Sequence, residues 1–246
     1  VDDLVWHLTH VQHFWASIVG DQLDGPEAIV WPERPSSTGL VPHFDEVSAR
    51  LVAALTNADP EAPCWSWYEH DQRVGWVLRR QAHEALIHRV DADLALAAVG
   101  GSDVGPVDGA LAADGIDEML DIMLGAEPVP AWATWTLDGP TIRLVATTDL
   151  GPDRSWLASP GRLTGTDADG KDQDLAAIQV TDLGPAVGDA DDADNADGAD
   201  GAEASAVVRG PAAELDLWLW RRGQLADAVV TGDRALAERL PNLGDD

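Results

Sequence analysis

The hydrophobic spacing changes once along the chain, near residues 125–130, and this change constrains the fold more than any other feature. Before it, apolar residues recur every three or four positions, as at Leu4, Leu8 and Val11, which is typical of amphipathic helices. After Pro128, short apolar runs between Gly, Pro and Asp are typical of strands. The pattern predicts an α+β protein, helical in its first half and sheet-containing in its second.

The same reasoning places the individual elements. We predict helices at 2–20, 42–57, 71–98 and 107–124. We then predict strands at 141–147, 155–159, 175–181, 206–209 and 226–231, with helices at 211–222 and 233–240. These elements form a helical domain over 1–127 and an α/β domain over 128–246. An acidic, low-complexity stretch at 184–204 is interpreted as a disordered, solvated loop, with weak cation binding as the alternative.

Charge restricts the partners. The 246 residues include 15 Lys+Arg and 44 Asp+Glu, for a net charge of −29. Nucleic acids and anionic membranes attract clustered Lys and Arg, so this charge argues against both. A single cysteine, Cys64, excludes an internal disulfide. We expect a cytoplasmic protein, monomeric or weakly homo-oligomeric, whose partner is a small molecule.

Ionisable side chains on the third predicted helix suggest an ion-binding site. Glu84 and His88 are four residues apart, so they share one helix face and are close enough to hold one ion. Helical angles place them on a band that also contains Val77 and points inward. A buried unpaired carboxylate is costly, and either a cation or a salt bridge from Arg80 would remove that cost.

The first helix offers three histidines. At ~100° per residue, His7 lies roughly 60° from the centre of the apolar stripe, His10 about 120° and His13 about 180°. We therefore expect His7 at the edge of the core, His10 in a borderline position and His13 in solvent. His7 with Glu84 and His88 forms a two-imidazole, one-carboxylate set with open positions, as in catalytic zinc or other divalent sites.

Each of these features also has a simpler interpretation. A Glu and a His at helical spacing are common by chance, and His83 is expected to be a packed core residue. Asp91 is either a partner of a metal-bound histidine or half of a salt bridge. The Trp cluster at 65–76 is expected to serve packing, and Cys64 to be a small buried residue rather than a nucleophile.

Several stretches together resemble the mycothiol-dependent maleylpyruvate isomerase family. They are DLVWHL at 3–8, WVLRR at 76–80, HEALIHRVDAD at 83–93, LAADGIDE at 111–118, VRGP at 208–211, LDLWLWRR at 215–222 and TGDRA at 231–235. The resemblance implies a DinB-like four-helix bundle followed by a small sterol-carrier-like α/β domain. The chain begins at Val1 without an initiator methionine, and we expect the first helix of the bundle to precede it.

The resemblance also implies cofactors and roles. A divalent metal, zinc in the characterised members, would be held by His7, Glu84 and His88. An arginine of the C-terminal domain would act in catalysis, with Arg221 and Arg222 as the candidates. Mycothiol or another small thiol would be the cosubstrate.

Three functions follow from these expectations. The first is a metal-dependent, mycothiol-dependent isomerase or S-transferase that acts on an unsaturated keto acid or another electrophile. The second is a metal-dependent hydrolase or transferase on the same bundle that uses water instead of a thiol. The third is a non-catalytic small-molecule-binding protein. The three candidate ligands favour the enzymes, and shared fold alone does not decide between them.

Overall fold

The fold is taken from a computed structural model that describes residues 1–125, 128–149, 151–185 and 204–242. The chain forms two compact units, Val1–Gly105 and Pro106–Asp246. Helices build the first unit, and a six-stranded sheet with helices builds the second. The predicted α+β class is confirmed. Among the described residues, no helix combines the length and the apolar character needed to cross a membrane.

The first unit contains α1 (Asp2–Gly20), α2 (Ser37–Asn57) and α3 (Val74–Ala97). Helix α1 packs along α2 and also contacts α3. The core between them is rich in aromatic and branched side chains, among them Trp15, Ile18, Leu51, Trp76 and Val77. Helix α2 begins five residues before the predicted start, so that Pro42 lies inside it.

Helix α4 (Gly109–Glu118) and the π-helical segment Met119–Leu124 belong to the second unit. Ile116 and Leu120 are fully buried in the core that covers the sheet. The hydrophobic period predicts these residues within the bundle and a boundary between 127 and 128, whereas the contacts divide the chain between Gly105 and Pro106. An amphipathic helix can cover either a helix or a sheet, so its period does not reveal its partner.

In the part of the chain that the structure describes, six strands form one sheet. They are β1 (Ala133–Leu137), β2 (Ile142–Thr147), β3 (Arg154–Thr166), β4 (Asp172–Pro185), β5 (Ala206–Pro211) and β6 (Val229–Gly232). One edge of β3 pairs along its length with antiparallel β4, while its other edge pairs first with β2 and then with β1. Strand β5 adds to β2 in parallel, and β6 adds to β5 antiparallel. Helix α5 (Ala212–Leu219) follows β5 directly, and α6 (Arg234–Ala237) follows β6.

Strands β1, β3 and β4 differ most from their predictions, and β4 begins three residues before and ends four residues after the predicted 175–181. Strand β3 continues beyond the predicted end at residue 159, because Gly161 allows β1 to approach; a Cβ there would lie 2.5 Å from the Thr136 carbonyl oxygen. Strand β1 was not predicted, although its sequence Ala-Thr-Trp-Thr-Leu alternates apolar and polar residues as a half-buried strand does. Of the predicted acidic loop, residues 184 and 185 end β4, and residues 186–203 lie outside the described residues.

Candidate metal centre

Helices α1 and α3 bring three potential ligands together. His7 comes from α1, and Glu84 and His88 come from α3; one ligand atom of each lies within 4.8 Å of the others. His7 Nε2 is 3.1 Å from His88 Nε2 and 3.3 Å from Glu84 Oε1, and His88 Nε2 is 3.1 Å from the same oxygen. These are the three residues that the spacing and facing arguments selected.

Protons alone do not satisfy this triangle. Each neutral imidazole carries one proton, so if both Nε2 atoms donate to Glu84, the contact between the rings lacks a hydrogen bond. If one Nε2 accepts from the other ring instead, it faces the carboxylate with a lone pair. A shared cation satisfies all three contacts. Nitrogen and oxygen ligands at 2.0–2.1 Å from one tetrahedral zinc ion are about 3.3–3.4 Å apart, close to the spacing found here.

Asp91 orients one of the imidazoles. Its Oδ2 lies 2.8 Å from Nδ1 of His88, one turn earlier on α3. A carboxylate accepts hydrogen bonds, so Nδ1 of His88 carries a proton. In the neutral ring the Nε2 lone pair then points toward Glu84 and His7, whereas the protonated ring of the metal-free chain donates from Nε2 as well. Of the two interpretations of Asp91, the structure shows the contact with a candidate metal-binding histidine.

The two oxygens of Glu84 have different partners. Oε2 accepts from the guanidinium of Arg80, whose side chain is buried, and Oε1 faces the two imidazoles. Burial raises the pKa of Glu84, but the hydrogen bond from His88 and the charge of Arg80 outweigh it and lower this pKa to about 2. The carboxylate is therefore ionised at neutral pH, as a metal ligand must be.

The charge of Glu84 acts on its neighbour in return. The hydrogen bond between His88 and Glu84 raises the pKa of His88, although burial lowers it, and Asp91 raises this pKa further. This shift describes the cluster without an ion. Because metal ligation requires the neutral ring, an ion competes with a proton for Nε2.

One side of the cluster is open. The His7 side chain is 49% exposed, whereas those of Glu84 and His88 are 16% and 17% exposed. His7 is thus less buried than the core-edge position predicted for it. The buried face of α1 includes Thr9 and Ala16, so it is rotated from the apolar stripe on which the prediction was based.

The other two histidines of α1 contact the loop that follows it. His13 Nε2 lies 2.9 Å from the Val30 carbonyl oxygen, so His13, predicted to face solvent, is partly covered by this loop. The ring of His10 stacks on Trp31 with centroids 4.4 Å apart. Burial lowers the pKa of His10, and the neighbouring His13 and His7 lower it further. The periodicity of a helix does not predict which of its residues a loop contacts.

A cavity of about 370 Å³ adjoins the cluster. Its lining includes His7, Glu84 and Arg80, together with His10, which the helical angles leave in a borderline position. The other lining residues are ones that the sequence pattern assigns to packing or does not single out, namely Val11, Phe14, Trp15, Trp31, Trp67 and Gln81. Gln81 precedes Glu84 by three residues on α3, and this spacing was the one signal that could have identified it.

The remaining candidates have other surroundings. Arg221 has φ +61°, and its Nε and Nη2 donate to the Pro241 carbonyl oxygen at 3.0 and 2.7 Å. Arg222 Nη1 donates to the Trp220 carbonyl oxygen at 2.7 Å. Both follow α5 in the second unit, and their catalytic role stays a prediction from the resemblance.

The two predicted packing residues are also placed. His83 is buried, with 1% of its surface exposed. Cys64 is half-buried, and burial raises the pKa of its thiol, which disfavours the reactive thiolate at neutral pH. The environment of Cys64 does not favour a nucleophilic role.

Two family models match the sequence, one within the helical unit and one within the sheet-containing unit. The mycothiol maleylpyruvate isomerase N-terminal domain matches residues 1–93, and the MDMPI C-terminal domain matches residues 110–239. The chain belongs to the mycothiol maleylpyruvate isomerase family. The gap between the two matches contains the Gly105–Pro106 division. No curated protein and no solved structure matches the chain.

Proposed function

We propose that this protein is a metal-dependent isomerase or S-transferase of the cytoplasm, with mycothiol or another small thiol as its cosubstrate and a DinB-like bundle as its metal-binding unit. Its substrate is an unsaturated keto acid or another small electrophile. The observation that carries the metal-dependent part is the triangle of His7, Glu84 and His88 with Asp91 behind it. Membership of the mycothiol maleylpyruvate isomerase family supports a small thiol as the cosubstrate.

The donor set fits a divalent ion of the zinc type. His7, Glu84 and His88 would hold it, and two neutral imidazoles with one carboxylate leave a net positive charge and open positions. When bound, the ion supplies a Lewis acid that lowers the pKa of a thiol or water and polarises a carbonyl group.

The chain's own residues prepare this site. Arg80 holds Glu84 in its ionised form, and Asp91 fixes the tautomer of His88. The exposed side of His7 and the adjoining cavity admit a cosubstrate. Since burial keeps Cys64 in its thiol form, the proposed nucleophile is an added small thiol.

The proposed reaction needs neither an oxidant nor a reductant. The thiol gives its proton to water, its sulfur bonds to one carbon of a conjugated double bond, and the electron pair moves to the carbonyl oxygen. The former double bond then rotates. Expulsion of the thiolate restores the double bond in the trans geometry, which is isomerisation. If a proton instead adds to the second carbon, the sulfur–carbon bond remains, which is S-transfer.

Elemental analysis of the purified chain, followed by a thiol-dependence assay with maleylpyruvate, tests this proposal. We expect about one divalent ion per chain and turnover that needs added thiol. Cys64→Ala is expected to retain this activity. Full turnover of a hydrolysable substrate in thiol-free buffer would instead support the hydrolase. A chain that binds no divalent metal would leave the non-catalytic binding protein as the better description.

A further inference from the structure

The cavity beside the cluster has aromatic walls. Trp31 and Trp67 line it, and each is 46% exposed, which is unusual for such large apolar side chains. Phe14 supports Trp31 from one side, with ring centroids 6.2 Å apart and planes inclined by 20°. Exposed aromatic faces within a concave site are suited to a planar apolar group.

One polar group in this wall lacks a partner. Gln81 is only 7% exposed, and its buried Nε2 has no hydrogen-bond partner among the described residues. A buried donor that lost its hydrogen bond to water and gained none in the protein destabilises the chain. Gln81 lines the same cavity as the aromatic residues and lies one turn before Glu84. An oxygen acceptor on a bound ligand would satisfy this donor beside the metal cluster.

The charges around the cavity limit the ligand further. Within residues 1–105, all of which the structure describes, Arg80 is the one Lys or Arg that lines the cavity. Its guanidinium is ion-paired with Glu84. The part of a ligand that lies against Trp31, Phe14 and Trp67 is therefore expected to be uncharged, whatever charge its other end brings to the metal cluster.

We propose that the cavity binds an electrophile whose planar aromatic or conjugated part is uncharged. Its ring stacks on Trp31, and its carbonyl oxygen accepts a hydrogen bond from Gln81 Nε2. This inference rests on the proposed function, because it names the electrophile class for that site. It makes Trp31 and Gln81 specificity-determining residues.

Equilibrium dialysis with three uncharged probes tests the proposal on the full-length, chelator-treated chain without thiol. The probes are 2-acetylnaphthalene, 2-ethylnaphthalene, which lacks the carbonyl group, and cyclohexyl methyl ketone, which lacks the flat ring. We expect 2-acetylnaphthalene to bind most tightly. Trp31→Ala is expected to weaken both naphthalenes by about tenfold.

The hydrogen bond from Gln81 is tested by comparing two probes, one with and one without the carbonyl group. Gln81→Leu is expected to weaken 2-acetylnaphthalene by about 3- to 10-fold and to leave 2-ethylnaphthalene unchanged, since one hydrogen bond is lost. Gln224→Leu, at an exposed glutamine in the second unit, is the matched control and is expected to change neither probe.

Equal binding of the three probes to the unsubstituted chain would overturn the proposal, and this comparison needs no variant to fold. Unchanged binding in Trp31→Ala and Gln81→Leu, with unchanged thermal transitions, would overturn it as well. Failure of the proposed function has a different signature, because metal content and thiol-dependent turnover are measured separately from this dialysis.

Discussion

Glu84 in the first unit and Asp117 in the second are both partly buried carboxylates that pair with an arginine, yet their further partners differ in kind. Asp117 Oδ1 accepts from Arg154 Nη2 at 3.1 Å and from the indole Nε1 of Trp156 at 3.0 Å. Glu84 Oε1 instead faces the Nε2 atoms of His7 and His88. The two carboxylates therefore differ in what surrounds them more than in their burial.

The difference separates a structural contact from a binding site. A guanidinium and an indole N–H donate only, so the contacts of Asp117 are complete without any ligand. An imidazole can present a lone pair as well as a proton, so the contacts of Glu84 are completed best by a cation. The partner's chemistry, rather than the carboxylate, distinguishes the two places.

The strongest test of the second unit as a structural region is Trp156→Ala. The side chain is 1% exposed in the core, and its indole also holds Asp117. We expect a loss of about 3–5 kcal/mol in the free energy of unfolding, from lost packing and a residual cavity. Urea unfolding followed by circular dichroism measures it, and a loss below about 1 kcal/mol would contradict the assignment of Trp156 to the core.

Removal of the imidazoles tests the first unit as a binding region. His7→Ala and His88→Ala are each expected to weaken zinc binding by at least about 100-fold, because one of three ligands is lost. Competition with a chromophoric chelator gives the affinity. His70→Ala removes an exposed histidine of the same unit as the control, and equal losses in all three variants would show that the triangle is not the site.

A matched pair of carboxylate-to-amide changes sharpens the comparison. Asp91→Asn is expected to lower zinc affinity by about 10- to 100-fold, since the amide supports Nδ1–H of His88 less well. Asp117→Asn is expected to lower stability by about 1–3 kcal/mol while zinc affinity stays within about twofold. Titration calorimetry and urea unfolding separate the effects, and the comparison fails if the two variants exchange their outcomes.

The smallest expected effect is a pH dependence of the metal-free chain. The pKa of Glu84 is lowered from 4.5 to about 2, so its contribution to stability is complete above pH 4.5 and is lost as the pH falls toward 2. The stability difference between the unsubstituted chain and Glu84→Gln should therefore shrink over this interval. Urea unfolding in chelator at several pH values measures it, and a constant difference would refute the shift.

The raised pKa of His88 gives stability the opposite pH dependence. Its contribution is complete below pH 6.5 and is lost as the pH rises through the raised value in the folded chain. Bound zinc should reverse this dependence, because the ion keeps the ring neutral in the folded chain while the unfolded chain still binds a proton below about pH 6.5. The same unfolding series with and without zinc, from about pH 6 to about pH 8, provides the check.

Local spacing along the chain by itself determined much of this protein. The bounds of α1 agree with the prediction, and α3 lies within three residues of it. The pairing of Glu84 with His88 follows from four-residue spacing on one helix, which is independent of what packs against that helix. The choice of His7 followed from the apolar stripe, although that stripe misjudged its exposure.

Only the tertiary structure decided which elements meet. Helix α4 has a period that suits a bundle, but it covers the sheet of the second unit. Trp31 lies in a loop without periodicity, so nothing in its neighbourhood along the chain places it against His10 and the cavity. The unpartnered amide of Gln81 is likewise visible only once every neighbouring acceptor has a position. Periodicity describes one element at a time, whereas a site depends on distances between elements, and packing sets those distances.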